Sequence, residues 1–316
     1  MLSRVAESIY WMSRYIERAE NVARVVDVNL LLQLDLPDPT EQWDPIVNVT
    51  GDDADFRERY DGASRANVIE FLTFDMLSPN SVLLCIVKAR ENARTVREVI
   101  SSEMWEEIND FYLSLGTPSA RERAIDEPHA FFQEIKRTSH LIEGTKNETM
   151  PHGEAWHFSR IGRFIERADK TSRILDVKYF LLLPSKEDVG KPVDDLQWSA
   201  LLRSASAFEA YRKIWGSVSA GAVAGFLLLD REFPRSVHHC ITAAQNSLHA
   251  ITMTPARTFA NPAERALGRL VAELDYTDVD ELIVAGLHEF LDGFQAKLNV
   301  VGNEVTQTFF ALHATP

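Results

Sequence analysis

Apolar residues in the first part of the chain repeat with the period of an α-helix. They recur every three or four positions between residues 2 and 33, in a narrow stripe that suits packing inside a helical bundle. This pattern predicts one helix over 2–33, and the stretch 35–39 (Asp-Leu-Pro-Asp-Pro) is expected to end it. The apolar stripe consists of Val5, Ile9, Met12, Ile16, Ala19, Ala23, Val26 and Leu30.

Helical patterns continue along the rest of the chain. Further helices are predicted over residues 66–77, 79–115, 128–143, 153–183, 262–274 and 279–311. Residues 116–128 contain two prolines and are predicted to form a loop. No segment shows the strict alternation of a strand bounded by hairpin turns. The predicted fold class is therefore all-α, a helical bundle in a single domain over residues 1–316.

Part of the first helix recurs in the second half of the chain. Residues 14–28 and 163–177 are related at an offset of 149, and blocks such as Phe71-Leu72 and Cys85-Ile86 recur at an offset of 155. This recurrence predicts two related halves, 1–150 and 151–316, that meet across a pseudo-twofold axis. The identical pairs of the first block are Arg14/Arg163, Ile16/Ile165, Glu17/Glu166, Arg18/Arg167, Ala19/Ala168, Arg24/Arg173, Asp27/Asp176 and Val28/Val177.

The overall charge changes which partners are expected. The net charge is −14, so the chain lacks the electrostatic footprint that binds nucleic acid or anionic membrane surfaces. The first eight residues lack the apolar core of a signal peptide, and the most apolar run, Gly221–Leu229, is too short to span a bilayer. We therefore expect a cytoplasmic protein that binds neither nucleic acid nor membrane.

Charged residues border the apolar stripe of the first helix. A helical wheel places Glu20 and Asp27 at its edge, where they are expected to be partly buried, and it places Arg14 and Arg18 on the far side. One interpretation of the repeated charges is a salt-bridge ladder that fixes the register of two central helices. The other is a polar cleft between the two copies, in which arginines bind a carboxylate or a phosphate.

A second charged block has no counterpart in the other half. Residues 90–98 carry Arg90, Glu91 and Arg94, whereas the positions 155 residues later carry no fixed charge. A purely structural block is expected to persist in both halves, so this difference favours one asymmetric site near residues 90–98. The alternative is a solvated helix face held by pairs such as Glu91–Arg94.

Several motifs resemble those of a known family. Residues 2–24, Leu-Ser-Arg-Val-Ala-Glu-Ser-Ile-Tyr-Trp-Met-Ser-Arg-Tyr-Ile-Glu-Arg-Ala-Glu-Asn-Val-Ala-Arg, resemble the start of the bacterial alpha-E domain family, a domain of unknown function. The run 89–94 with Trp105 and Asn109 resembles its middle block, and 158–175 resembles its second Glu-Arg-Ala-Asp block. The resemblance covers essentially the whole chain.

This resemblance implies a biochemical context. Members are encoded beside, or fused to, a circularly permuted ATP-grasp ligase, and a transglutaminase-like protease is a frequent neighbour. The implied pathway forms amide or peptide bonds. The chain itself shows no glycine-rich phosphate loop and no nucleophile motif, so ATP chemistry by this chain alone is not expected.

Two hypotheses follow. The protein is an accessory component that binds the ligase, its substrate or its activated intermediate, or it is itself an enzyme acting on a peptide or amide. A closed polar pocket holding Glu17, Glu20, Glu166 and Arg90 would favour the enzyme. The histidines lack zinc-ligand spacing, and Cys85 and Cys240 lie on apolar faces, so neither a metal nor another cofactor is expected. The candidate substrate-binding residues are Glu17, Arg18, Glu20, Arg24, Arg90, Glu91, Arg94, Glu166, Arg167, Asp169 and Arg173.

Overall fold

The computed structural model describes residues 1–35, 43–181 and 192–311, and their regular structure is entirely helical. The helices are α1 (Ser3–Asp35), α2 (Asp44–Thr50), α3 (Asp53–Arg59), α4 (Arg65–Thr73), α5 (Val82–Thr95), α6 (Ser102–Leu115), α7 (Pro118–Asp126), α8 (Pro128–Thr149), α9 (Glu154–Leu181), α10 (Pro192–Ser204), α11 (Phe208–Ile214), α12 (Ala220–Leu229), α13 (Val237–Thr252), α14 (Pro262–Asp275), α15 (Val279–Ala285) and α16 (Leu287–Val305), followed by a π-helical turn (Thr306–Phe310). The predicted all-α fold class is confirmed. The stretch predicted to end the first helix lies mostly outside the described residues.

The two long helices α1 and α9 form the centre of the bundle and run in the same direction. The hydrogen bonds between them join residues 146 to 153 positions apart, from the Met1 amino group on Glu154 to the Arg18 side chain on Glu166. A nearly constant separation is the mark of parallel helices in register. Near the middle of the contact, the buried hydroxyls of Ser13 and Ser159 lie 2.7 Å apart.

The backbones of α1 and α9 approach each other closely at Gly162. A Cβ atom at this position would lie 2.3 Å from the carbonyl oxygen of Tyr10, which is far inside van der Waals contact. Only glycine fits where two backbones come this close. This position therefore fixes how near the charged faces of the two helices come to each other.

Each central helix is surrounded by its own set of helices. The helices α5 and α8 pack on α1, and α13 and α16 pack on α9. In the same way, α6 bridges α5 and α8, while α14 bridges α13 and α16. The apolar stripe of α1 is buried, with Ile9, Met12 and Val26 fully inaccessible. The packing resembles the predicted two-half organisation, but the duplication itself stays a prediction.

Several predicted segments are wrong in their boundaries. Residues 79–115 form two helices, because the Ser101 hydroxyl accepts a hydrogen bond from the amide of Met104 and starts α6 there. The predicted loop 116–128 contains the helix α7, with Pro118 in its first turn. The predicted helix 279–311 is broken at Gly286, which has a φ of +117°.

Candidate functional site

Glu17 lies on the face of α1 that meets α9, and it is only 5% exposed. Arg167 binds both carboxylate oxygens, with Nε–Oε1 and Nη2–Oε2 distances of 2.7 and 2.8 Å. Arg163 Nε and Arg235 Nη1 each add a contact of 3.3 Å. Burial alone would raise the pKa of Glu17, but the surrounding arginines, Arg167 foremost, hold it well below the ordinary value. The carboxylate of Glu17 is therefore ionised at any physiological pH.

Glu166 has the same kind of environment on α9. It is completely buried, and Arg18 binds it with Nε–Oε1 and Nη2–Oε2 distances of 2.6 and 3.0 Å. The Nε atom of Arg14 donates to Oε2 at 2.8 Å, and Lys170 Nζ lies 3.8 Å from Oε1. Burial opposes ionisation here as well, but Arg18 and Arg14 lower the pKa of Glu166 far below its ordinary value.

The two Glu-Arg dipeptides are thus paired crosswise. Glu17 of α1 takes Arg167 of α9, and Glu166 of α9 takes Arg18 of α1. Arg14 and Arg18, which the wheel placed on the far side of α1, contact α9 there. That side is also covered, because α5, α8 and α9 surround α1 and leave most of its circumference buried. Arginines contact both carboxylate oxygens of Glu17 and of Glu166. Neither glutamate can therefore accept another strong hydrogen bond at those positions.

A second layer of ion pairs flanks each crossed pair. On α1, Glu20 is 2% exposed and pairs with Arg24 and with Arg235, whose Nη2 lies 2.9 Å from Oε1. On α9, Asp169 pairs with Arg173 at 3.0 Å and with Lys170 at 3.2 Å. The expected burial of Glu20 is confirmed.

Asp27 and Asp176, the third acidic pair of the repeat, each contact a histidine. Asp27 is 1% exposed and contacts His129 Nδ1 at 2.6 Å and Lys136 Nζ at 2.5 Å, which confirms its expected burial. Asp176 contacts His288 Nδ1 at 2.6 Å. The hydrogen bond to Asp176 raises the pKa of His288. His129 and His288 are each the second residue of their helix, so α8 and α16 begin at the same kind of contact.

A small cavity lies beside Glu17, under α8; we call it the Glu17 cavity. Its volume is about 20 Å³, enough for one water molecule. Its lining includes Glu17, Glu20, Ser139, His140, Glu143, Lys146, Arg163, Arg167 and Arg235. The exposed ring of His140 borders it, with Nε2 3.4 Å from Glu20 Oε1. Glu166 and Arg90 are not among the lining residues, so this cavity is not the four-residue pocket that would favour an enzyme.

Lys146 is a buried lysine in the lining of the Glu17 cavity. It is 1% exposed, and its Nζ lies 2.7 Å from Glu143, which also pairs with Arg163. Burial lowers the pKa of Lys146 to about 8, with Glu143 opposing the shift and Arg163 adding to it. Burial also lowers the pKa of His140 to about 4, with the positive charge of Arg24 as the next cause. Both groups therefore lose their protons more readily than free side chains do.

The charges around the Glu17 cavity do not balance. Among the lining residues, the three carboxylates of Glu17, Glu20 and Glu143 face four cationic groups, which are Lys146, Arg163, Arg167 and Arg235. Burial and the neighbouring cations lower the pKa values of Arg24 and Arg235. Among the described residues, the buried Arg24 Nε and Glu20 Oε2 atoms have no hydrogen-bond partner. This surplus of buried positive charge favours an anion.

The candidates on α5 are placed elsewhere. Arg90 donates from Nε to Asn109 at 2.8 Å, and its guanidinium lies 4.7 Å from the ring centre of Tyr112 on α6. Arg94 pairs with Glu91 at 2.8 Å on an exposed surface. Within the described part of the chain, no ion pair joins this group to Glu17 or Glu166. The exposed Glu91–Arg94 pair matches the solvated helix face weighed above, and the asymmetric site at 90–98 stays a prediction.

Metal ligands and nucleophiles are not assembled in the described residues. No group of three or more histidine, cysteine, aspartate or glutamate side chains is placed there to hold a metal ion. Cys85 and Cys240 are fully buried, which confirms their interpretation as core residues. Burial raises the pKa values of these thiols to about 11 and about 12, so neither forms a thiolate readily.

Sequence reasoning missed the residues that other helices contribute. Arg235 was not a candidate, although it lies between the repeated residues Pro234 and Ser236 at a position where the first half has Asn80. Lys146 was missed because the helix was predicted to end at 143, whereas α8 continues to Thr149. Glu143 lies within the predicted helix but was not singled out. A comparison of the two halves for replaced charges would have found Arg235.

Comparison with known proteins identifies the family. Residues 1–310 match a family model named Alpha-E, described as a predicted alpha-helical domain with a conserved ER motif. The chain belongs to the Alpha-E family. The resemblance seen in the sequence is thereby confirmed. The crossed dipeptides Glu17-Arg18 and Glu166-Arg167 fit the description of an ER motif.

The relatives of this Alpha-E protein are longer. An uncharacterized protein of Mycobacterium bovis and two of Mycobacterium tuberculosis strains are each 24% identical to it over 336 residues. These alignments cover 98% of this chain but only 37% of each relative. No solved structure matches the chain. Within the described residues, no helix is both long and apolar enough to cross a membrane.

Proposed function

We propose that this Alpha-E protein is an accessory component of an ATP-grasp amide or peptide ligase system. In this role it binds an acidic part of the ligase, of its substrate or of its activated intermediate at the Glu17 cavity. The ligase encoded nearby is the partner implied by the family resemblance, a transglutaminase-like protease is a further candidate partner, and the proposed location is the cytoplasm. The observation that carries the proposal is the surplus of buried positive charge around Glu17.

A buried surplus of cations stabilises a bound anion strongly. Positive groups held together away from water repel one another, and an anion with a matching shape removes that repulsion. Arginine suits this role because its planar fork binds carboxylate and phosphate oxygens in pairs. An acyl phosphate, the kind of activated carboxylate that an ATP-grasp ligase forms, presents such oxygens. The cavity has room for one oxygen atom of an acidic group, which would enter past His140 and take the place of a water molecule, with the rest of the ligand outside.

The family context supports a partner rather than an isolated catalyst. The region similar to this chain makes up only 37% of each mycobacterial relative, so there it is joined to other sequence. We also propose that the two halves, 1–150 and 151–316, arose by internal duplication. The identical charges and the crossed pairs support this proposal, because equivalent residues of α1 and α9 have equivalent partners.

Reconstitution tests the proposed function. The neighbouring ligase, ATP and candidate amino acids or acidic peptides are incubated with and without the protein, and products are measured by mass. We expect product formation to depend on the protein and to be lost in Lys146→Met, with Arg94→Gln as a control that removes an exposed positive charge instead. Equal product with and without the protein would contradict the proposal.

Proton uptake gives an independent test. An anion bound beside Lys146 raises its pKa, so binding near pH 8 takes up a proton. We expect the calorimetric binding enthalpy of an acidic ligand to vary with the ionisation enthalpy of the buffer. Lys146→Met removes that dependence, whereas Arg94→Gln keeps it.

Lys146 also favours a second candidate function, an enzyme acting on a peptide or amide. An amine with a pKa near 8 is partly neutral at physiological pH and can act as a base or a nucleophile. Glu17 and Glu166 do not suit acid–base work, since their pKa values are held low by paired arginines. Release of amine from peptides by the protein alone, lost in Lys146→Met and kept in Arg94→Gln, would support the enzyme over the accessory role.

A further inference from the structure

A second recess lies on the other side of the central pair, between α1, α9 and α16; we call it the Arg14 groove. Its volume is about 300 Å³, the lower end of the range for small-molecule sites. Its lining includes Trp11, Arg14, Asp169, Asn299, Gly302 and Asn303. No residue of this groove lines the Glu17 cavity, so the two are separate.

The Arg14 groove lies at the place that the carboxylate of Glu143 occupies in the first half. Arg14 and Arg163 are identical residues of the repeat, and each binds the glutamate of the opposite central helix. Arg163 also pairs with Glu143 of α8. Glu143 comes 14 residues after His129, and the residue 14 positions after His288 in α16 is Gly302. His129 and His288 make matching contacts with Asp27 and Asp176, so Glu143 and Gly302 occupy matching places.

Gly302 leaves the guanidinium of Arg14 open on that side. A Cβ atom at Gly302 would lie 3.8 Å from Arg14 Nη1, so the two groups face each other with no side chain between them. Arg14 uses Nε and Nη2 on Glu166 and donates from Nη1 to the hydroxyl of Tyr10 at 3.1 Å. A guanidinium has five N–H groups, so donors remain for a further acceptor.

The local charge also favours an acidic ligand. Four cations, Arg14, Arg18, Lys170 and Arg173, pair with only two carboxylates, those of Glu166 and Asp169. Of these charged groups, Arg14 and Asp169 line the groove itself, and the others lie behind it. The side chain of Asp169 accepts hydrogen bonds from Arg173 on both of its oxygens. Asn299 and Asn303 are exposed amides that add neutral donors to the outer wall.

We propose that the Arg14 groove is a binding site for the free carboxylate of a small ligand, of about the size of an amino acid. The ligand carboxylate pairs with Arg14 at the place where the Glu143 carboxylate pairs with Arg163. The first half thus has its carboxylate built into α8, and the second half takes one from solution. This site is additional to the Glu17 cavity and does not depend on the function proposed for it.

The variant Gly302→Glu tests this proposal by restoring the missing carboxylate. Glutamate is also a better helix former than glycine, so the variant is expected to fold. Gly302→Ala is the matched control, because its methyl group makes only an ordinary contact with Arg14. Sodium acetate, L-alanine and inorganic phosphate are titrated into the full chain at constant ionic strength, and the Arg14 Nε–H signal is followed by NMR.

We expect acetate and alanine to shift the Arg14 signal to saturation in the native protein and in Gly302→Ala. In Gly302→Glu the affinity falls at least about tenfold, and the Arg14 signal without ligand resembles that of the acetate-bound native protein. Lys146→Met leaves the titration unchanged, which separates this site from the Glu17 cavity. The proposal is overturned by a native protein that shows no saturable shift, by equal binding in Gly302→Glu, or by tighter binding of phosphate than of acetate.

Discussion

The Glu17 side and the Glu166 side of the central helix pair have the same charged residues at the contact between α1 and α9. The residues that surround this contact differ between the two sides. Glu17 and Glu166 each bind two arginines of the opposite helix. The Nε–Oε1 distances to Arg167 and Arg18 are 2.7 and 2.6 Å, and the Nε–Oε2 distances to Arg163 and Arg14 are 3.3 and 2.8 Å. Around Glu17, however, the outer helices supply Arg235, Glu143 and Lys146 and close a small cavity. Around Glu166 the matching outer positions are Asn80, Gly302 and Val305, and an open groove remains.

This difference separates two roles. The charges that both sides keep hold α1 and α9 in register, because each glutamate can be satisfied only when the other helix is in place. The charges that differ come from α8 and from the segment before α13, and in our proposals they determine what each recess binds. The shared charges match the ladder interpretation of the sequence, and the proposed ligand sites use the unmatched residues beside it.

The ion pairs that both sides share are tested most strongly by neutralising Glu17 or Glu166. Glu17→Gln and Glu166→Gln should each cost about 3–5 kcal/mol of unfolding free energy, since breaking a buried pair leaves arginines unpaired. Urea denaturation measures the loss. Glu91→Gln, on an exposed pair, should change stability by less than about 1 kcal/mol. If either buried variant behaved like Glu91→Gln, the frame would not depend on that pair.

The close approach of the two backbones gives the next largest effect. Gly162→Ala should lower the unfolding free energy by about 1–3 kcal/mol, because the added methyl group meets the Tyr10 carbonyl and pushes the helices apart. Gly144→Ala in α8 is the control, since nothing lies near its Cβ position. That variant should gain about 0.5–1 kcal/mol from helix propensity. Equal changes in the two melting temperatures would argue against a tight crossing.

The contacts of Asp27 with His129 and of Asp176 with His288 allow the two sides to be compared at smaller energies. Asp27→Asn should cost about 1–3 kcal/mol, because it leaves the buried Lys136 without its partner. Asp176→Asn should cost less than about 1 kcal/mol, since the side chain of Asp176 is 21% exposed and can be solvated. Thermal denaturation of both variants at pH 7 shows which substitution costs more stability. A larger cost for Asp176→Asn would show that burial does not set the difference between the two contacts.

The smallest effect, and the most specific to the Glu17 side, concerns Lys146. Lys146→Met should change stability by less than about 1 kcal/mol at pH 7, because Glu143 keeps its pair with Arg163. The folded-state pKa of about 8 lies below the unfolded value, so the unfolded chain binds more protons between the two. Native stability relative to Lys146→Met should therefore rise as the pH increases from about 8 to about 10.5. A flat difference over this range would mean that the lysine is not buried as described.

The sequence predicted the helical frame well and the site only in part. The spacing of Val5, Ile9 and Met12 specified the buried face of α1, and the repeated charges marked Glu17 and Glu166, which lie at the contact between α1 and α9. The wheel could not show that α9 covers Arg14 and Arg18, because a single helix does not reveal how many neighbours surround it. Local patterns also cannot show that α8 and the segment before α13 bring charges to the same cavity, since that contact depends on tertiary packing.

The crossed pairs have a consequence for how the chain is made. Arg18 and Glu166, like Glu17 and Arg167, are separated by about 150 residues, so the first helix cannot satisfy its charges until most of the second long helix exists. At ribosomal rates of 5–20 residues per second, that wait lasts about 8–30 s. During this time α1 keeps its glutamates and arginines hydrated and can dock only through its apolar stripe. Closure of the central pair is therefore a late step, and its long sequence separation is typical of slow folding.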